Sequence, residues 1–249
     1  MKANPFRLVL FGLAVLWGGP GAASGQFLSP VGNVTLPPPS APVLLVPGWF
    51  RGAKELMPLA ERLVRDGWPE DWVLPLEFKD PVGSNFDHAG EIEGAIAELQ
   101  ERTGQRRVDI IAHSMGGLAL WVLLQRDGDI LPIRRVVFLA SPLQGTLIAH
   151  LAWGEGGEEM RPGSGFLNGL EEGPEPNHWV EALTIRTPLD LTVVPNRGGT
   201  LPGMGDRMVC CPTHQGLLDH EETFVLARDF LLYGRDGGGE DDPAVTGRR

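Results

Sequence analysis

The chain has 249 residues, 42% of them hydrophobic and 21% charged, and carries a net charge of −11 at pH 7. That length can bury one large core without a second domain. The acidic balance disfavours nucleic acid and anionic membrane surfaces, which reward basic patches, and two cysteines are too few for a disulfide framework.

Lys2 and Arg7 precede an apolar run from Leu8 to Trp17, and small residues follow at Gly21–Gly25. A charged start, a short apolar centre and a small-residue region predict a secretory signal peptide over residues 1–25, hence a secreted or periplasmic protein. The run is too short to span a bilayer, and no later segment is long and apolar enough to do so. Residues 26–42, rich in Pro and small polar side chains, are expected to form an extended leader with no packing of its own.

Strand and helix patterns then alternate through 43–233. Val43–Val46 reads as a buried strand. Residues 53–66 place Leu56, Leu59, Ala60, Leu63 and Val64 at helical spacing, and Gly67 closes the helix. Val73–Leu76 is a short strand, and 89–102 is a surface helix carrying Ile92, Ile96 and Leu99 on one face. A strand at Val108–Ala112, a helix from about 115 to 126 and a strand at Val136–Ala140 follow. Leu183–Thr187 is the last clear strand, and 221–232 is helical. Residues 234–249 hold almost no apolar side chains and predict a disordered tail. This order implies an α/β fold with a mostly parallel central sheet and helices on both faces. Sites in such folds lie beyond the carboxyl ends of the strands.

Ser114 occupies that position in "VDIIAHSMGG", between an apolar strand and a helix. A serine on a tight strand-to-helix elbow exposes its Oγ, provided the residues two places either side are small; here they are Ala112 and Gly116. A helix-capping serine would be the ordinary alternative. A nucleophilic hydroxyl needs a base. Of the six histidines, His113 adjoins Ser114 and points away from the attack direction, whereas His214 lies in the Pro/Thr/Gly loop "PTHQG" near the chain's end. His220 reads as a helix-start residue. A third group must fix the imidazole tautomer, and Asp190 in "TPLDLTVVP" follows a strand end, with Asp206 and Asp219 as fallbacks. The order Ser114, Asp190, His214 is the α/β-hydrolase order.

These stretches resemble the bacterial secreted lipases and esterases of the α/β-hydrolase fold. "AHSMGG" resembles their nucleophile elbow, "ASPLQGT" the turn after the next strand, "RPGSGFLNGL" the segment before the acid-bearing strand, "TPLDLTVVP" the acid loop and "HQGLL" the histidine loop. The similarity covers about residues 43–232. It implies a serine ester hydrolase acting on lipid or small esters, without a metal or organic cofactor. By resemblance, the backbone N–H groups of Trp49 and Met115 form the oxyanion hole. The family usually carries His-Gly after the first central strand, where this chain has Pro47-Gly48. Pro47 is not an expected donor, but no histidine side chain is available to orient the loop.

Two stretches keep alternatives. Residues 147–179 are long, Gly-rich and dotted with large apolar side chains, and read equally as a lid or acyl-pocket wall and as a surface excursion over the sheet. Cys210-Cys211 is read as a disulfide between neighbours that stiffens the turn before His214, in keeping with export. A cysteine nucleophile competes with the better-placed Ser114, and a metal site lacks a second ligand pair. Within enzymes the rival reading is an acyltransferase or thioesterase using the same serine; outside them it is a non-catalytic binding protein.

Overall fold

Apolar runs broken by Gly- and Pro-containing turns set the order of elements. The computed structural model describes residues 36–235. The signal-peptide segment 1–25, the leader up to residue 35 and the tail from residue 236 lie outside the described residues. The elements are β1 (Val43–Val46), α1 (Ala53–Arg65), β2 (Val73–Pro75), α2 (Asn85–Thr103), β3 (Val108–His113), α3 (Gly116–Asp127), β4 (Ile133–Leu139), α4 (Gly154–Glu159), α5 (Gly165–Glu171), β5 (Glu181–Arg186), β6 (Gly205–Met208) and α6 (Glu221–Tyr233). The strands form one sheet in the order β2-β1-β3-β4-β5-β6, and every neighbouring pair runs parallel.

The two-residue period of the strands divides the core. Leu44, Val46, Ile110, Ala112, Val136 and Phe138 pack with α2 and α3 on one face. Val43, Leu45, Ile111, Val137 and Leu139 pack with α1 and α6 on the other. Burial on both faces accounts for the continuous apolar character of the central strands. Asp109 is the charged exception within β3: fully buried, it is held by the guanidinium of Arg134 on β4.

Several boundaries differ from the sequence expectations. β4 begins at Ile133 rather than 136, because Arg134 and Arg135 find carboxylate partners in Asp109 and Glu181. α2 begins at Asn85, capped by the Ser84 hydroxyl on the N–H of Phe86. Val64, expected on the apolar face of α1, is exposed. The leader does pack at its end: Ala41 is buried, its carbonyl accepts the Trp68 indole N–H, and the Pro42 carbonyl accepts the N–H of Asp109. β6 adds a strand after Leu183–Thr187. Its Gly-Asp-Arg-Met sequence has no apolar alternation, and pairing with β5 together with the Arg186–Asp206 ion pair holds it. Among the described residues, no helix is long and apolar enough to cross a membrane.

Candidate active site

Three strand ends at the carboxyl edge of the sheet carry the polar groups. Ser114 follows β3 directly, in the left-handed region at φ +52°. L-residues enter that region only under strong constraint. Here the Ser114 N–H donates to the Leu139 carbonyl and its own carbonyl accepts the N–H of Gly117. Small residues let the turn form. A Cβ on Gly116 would collide with the Pro47 carbonyl, one on Gly117 with the Ser141 side chain, and one on Gly48 would lie 2.8 Å from the Ser114 Cβ. The loop after β1 therefore touches the Ser114 turn, and glycine is what permits the contact.

His214 enters from the loop after β6. The loop is tied to the end of β5, where the Val209 N–H donates to the Arg186 carbonyl and the Thr187 hydroxyl to the Pro212 carbonyl. Cys210 and Cys211, just upstream, are joined as a disulfide. Asp190 follows β5. The structure brings Ser114, His214 and Asp190 together: His214 Nε2 lies 3.0 Å from Ser114 Oγ, and His214 Nδ1 lies 2.8 Å from Asp190 Oδ2. All three side chains are buried. The second carboxylate oxygen of Asp190 accepts the N–H groups of Thr192 and Val193, each at 2.8 Å. Burial pushes the Asp190 carboxyl up, but the hydrogen bond and charge of His214, with the two backbone N–H groups, outweigh it and hold the carboxyl below the usual aspartate value. A carboxylate accepts only, so Nδ1 carries the imidazole proton and Nε2 is left free to accept from Ser114.

The other candidates fall elsewhere. Asp206 pairs with Arg186, Asp219 with Arg62, and His220 occupies the N-cap position of α6, its side chain making no capping hydrogen bond. His113 is fully buried behind His214, with ring centroids 4.8 Å apart. The N–H groups of Trp49 and Met115 have no hydrogen-bond acceptor among the described residues. A cavity of about 310 Å³ stands over Ser114 and His214, bounded by Trp49, Ile148, Ala149, Trp153 and Val193. The stretch 147–160 thus forms a wall of this cavity. It is fastened at its end, where the Glu159 carboxylate accepts from the Ser84 hydroxyl and the Asn85 N–H at the start of α2. Among the described residues, no three His, Cys, Asp or Glu side chains cluster as a metal-ligand set.

Two residues around the site had no role in the sequence reading. Thr146, inside "ASPLQGT", donates from its hydroxyl to the Thr192 carbonyl and accepts the N–H of Val194, tying the Asp190 loop to the cavity wall. Glu55, on α1, accepts the N–H of Gly48. The motif containing Thr146 was visible in the sequence. Glu55 gave no signal, because a glutamate in a helix's first turn ordinarily faces water and favours the helix dipole.

No protein-family model matches the chain. Its structure is similar to that of the mature form of Bacillus licheniformis lipase BlEst2, with a TM-score of 0.66 at 15% identity over 82% of this chain and 96% of that one. It is also similar to the lin2722 product of Listeria innocua, with a TM-score of 0.60 at 16% identity over 81% and 96%. Aspergillus fumigatus lipase B gives a TM-score of 0.64 at 18% identity, covering 77% of this chain. The chain spans about half (52%) of that lipase's length. With one all-parallel sheet, helices on both faces and these likenesses, the chain has the α/β-hydrolase fold.

Proposed function

We propose that the protein is a serine hydrolase of carboxylic esters, with lipid esters as its substrates. The observation that carries the reading is the hydrogen-bonded series Ser114 Oγ, His214, Asp190 at 3.0 and 2.8 Å. His214 Nε2 takes the Ser114 proton as Oγ attacks the ester carbonyl, and Asp190 stabilises the imidazolium that results. The negative oxygen of the tetrahedral intermediate accepts from the N–H groups of Trp49 and Met115; two free donors on adjoining loops are what such a hole requires. Collapse breaks the C–O bond, and the imidazolium returns its proton to the departing alcohol. Water, deprotonated by the same imidazole, then releases the acid from Ser114.

The cavity rim supports a lipid substrate. Leu151, 80% exposed, and Phe50 and Trp153, slightly over half exposed, line the cavity, and the exposed Leu147 and Leu191 adjoin the lining residues Ile148 and Thr192 in the chain. Phe50 and Trp153 meet edge to face at 5.1 Å. Large apolar side chains gathered at one mouth mark a binding surface, whereas scattered ones do not. A net charge of −11 points to neutral rather than anionic lipids as the surface engaged.

A fluorophosphonate probe with peptide mapping, run beside turnover of p-nitrophenyl esters of increasing chain length, tests the reading. Labelling at Ser114, loss of label and turnover in Ser114→Ala, and faster turnover of longer chains are expected. An unlabelled wild-type protein would overturn it.

A further inference from the structure

In the loop after β1, the Trp49 indole N–H donates to the Trp153 carbonyl and the Phe50 N–H to the Pro81 carbonyl. Pro47 and Gly48 offer no polar side chain to hold the stem of the loop, yet Trp49 must hold its backbone N–H steady if it is to bind an oxyanion. Glu55 answers that need from an unexpected direction. Its side chain is turned inward and is only 14% exposed. One carboxylate oxygen accepts the Gly48 N–H at 3.2 Å and lies 3.4 Å from His113 Nδ1. The other oxygen lies 3.6 Å from Arg51 Nε. Gly48 immediately precedes Trp49, and His113 stands two residues before Met115 at the end of β3. A single carboxylate thus spans the two strand ends that present the two N–H donors.

The local chemistry suits this bridge. His113 is fully buried, and burial pushes its imidazole pKa down, so the ring is neutral and carries one proton. A carboxylate only accepts hydrogen bonds, which fixes that proton on Nδ1. The two strand ends also touch directly, since the Gly48 Cα faces the Ser114 Cβ closely enough that no side chain fits between them. Any drift of the Gly48 loop therefore changes the distance between the Trp49 and Met115 donors.

We propose that Glu55 is a positioning residue for this reaction: it clamps the β1 and β3 ends and so fixes the spacing of the Trp49 and Met115 N–H groups. The proposal rests on the ester-hydrolase reading above. It differs from a purely structural role, in which Glu55 would matter for folding and not for the oxyanion.

The full chain carrying Glu55→Ala, Glu55→Leu or Glu55→Gln tests it. For each variant, kcat and KM are measured on p-nitrophenyl butyrate, together with the inhibition constant of an alkyl trifluoromethyl ketone, which forms a charged oxyanion adduct on the serine, and the melting temperature. Losing or misplacing an oxyanion donor costs on the order of 10²-fold. Glu55→Ala and Glu55→Leu are expected to lower kcat by about that factor with KM within about twofold, and to weaken the ketone in proportion, because a transition-state analogue follows the transition state rather than the substrate. Glu55→Gln keeps an acceptor for Gly48 and is expected within about threefold of wild type on the same measures. Unchanged kcat, a kcat loss without weakened ketone binding, or a glutamine variant as damaged as alanine would overturn the proposal. So would failure of both apolar variants to fold, which would assign Glu55 to folding alone. A wild-type protein without fluorophosphonate label at Ser114 would instead remove the reading beneath; a labelled wild type with unaffected Glu55 variants removes only this step.

Discussion

Replacing Asp190 by asparagine is the sharpest test of the proposed reaction, because the structure dictates which way the new amide must turn. One carboxylate oxygen of Asp190 accepts two backbone N–H groups, from Thr192 and Val193, while the other faces His214 Nδ1. In Asp190→Asn the amide oxygen has to stay with the two backbone donors. Turning the NH2 toward them would leave both unpaired in a buried site, at about 1–3 kcal/mol each. The NH2 therefore points at His214 Nδ1, which must become the acceptor. The imidazole proton then sits on Nε2, 3.0 Å from Ser114 Oγ, and that nitrogen can no longer take the serine proton. Freezing the wrong tautomer in a triad lowers kcat by about 10⁴, equivalent to about 5 kcal/mol of transition-state stabilisation. The assay is kcat on a soluble p-nitrophenyl ester at neutral pH, with urea unfolding alongside. Folding stability should stay within about 1 kcal/mol of wild type, because the backbone donors keep their acceptor. Asp190→Ala leaves those donors orphaned and should lose activity and several kcal/mol of stability together. An Asp190→Asn enzyme within tenfold of wild type would refute the tautomer argument.

Further outcomes follow from the same geometry. Gly48→Ala puts a Cβ 2.8 Å from the Ser114 Cβ, so the oxyanion loop must move and kcat should fall about 10²-fold or more; a variant within threefold of wild type would show that the loop has slack. Changing Leu151 and Trp153, which line the cavity and are exposed, to serine should lower turnover of emulsified long-chain esters about tenfold or more, since burying a leucine is worth about 1.5–3 kcal/mol. Turnover of a soluble short ester should hold, and equal loss on both substrates would argue against a lipid-facing rim. Stability should also fall with acid. His113 stays neutral in the fold, its pKa depressed by burial, whereas the unfolded chain takes that proton near pH 6.5. The unfolded state then binds the extra proton below that pH, costing up to about 1.4 kcal/mol per pH unit for one such group. Asp190, held below its ordinary value, contributes its stability above about pH 4 and loses it only at lower pH. A urea midpoint that stays flat from pH 7.5 to 5 would contradict the His113 part.

What the sequence made legible was decided mostly by burial. β1 and β3 are interior strands of a sheet covered on both faces, so their apolar character is continuous and hard to mistake. The β6 residues lie at an edge and are half exposed, and what holds them is pairing and one ion pair, which leave no periodic trace. The start of α2 was missed for a related reason: Glu159, more than seventy residues away, supplies the acceptors that fasten it. The positions of Ser114 and Asp190 could be anticipated because each follows a strand end, and that of His214 because it lies in a Pro/Thr/Gly loop before the last helix. Glu55 could not, because only the fold turns a first-turn glutamate toward two strand ends. The value of the stretch 147–179 was likewise undecidable from composition, since Thr146 and Glu159 fasten it through contacts remote in sequence.

The distribution of backbone strain gives one more reason to place the chemistry at this rim. Among the described residues, Phe50, Ser114 and Ala140 are the non-glycine residues with positive φ, at +56°, +52° and +49°. They follow β1, β3 and β4, three neighbouring strands, at the same edge of the sheet. Each such conformation costs on the order of 1–3 kcal/mol, a sizeable share of a typical folding stability of about 5–15 kcal/mol. Ser114 and Ala140 are pinned by N–H donation to Leu139 and Ile185 carbonyls on the adjoining strands, and Phe50 by donation to Pro81. The sheet below them, buried on both faces, supplies the packing that tolerates the cost. Strain that, among the described residues, is confined to one edge of the sheet is difficult to attribute to the demands of folding. It accords with the proposed reaction, in which a hydroxyl and two N–H donors point into one cavity.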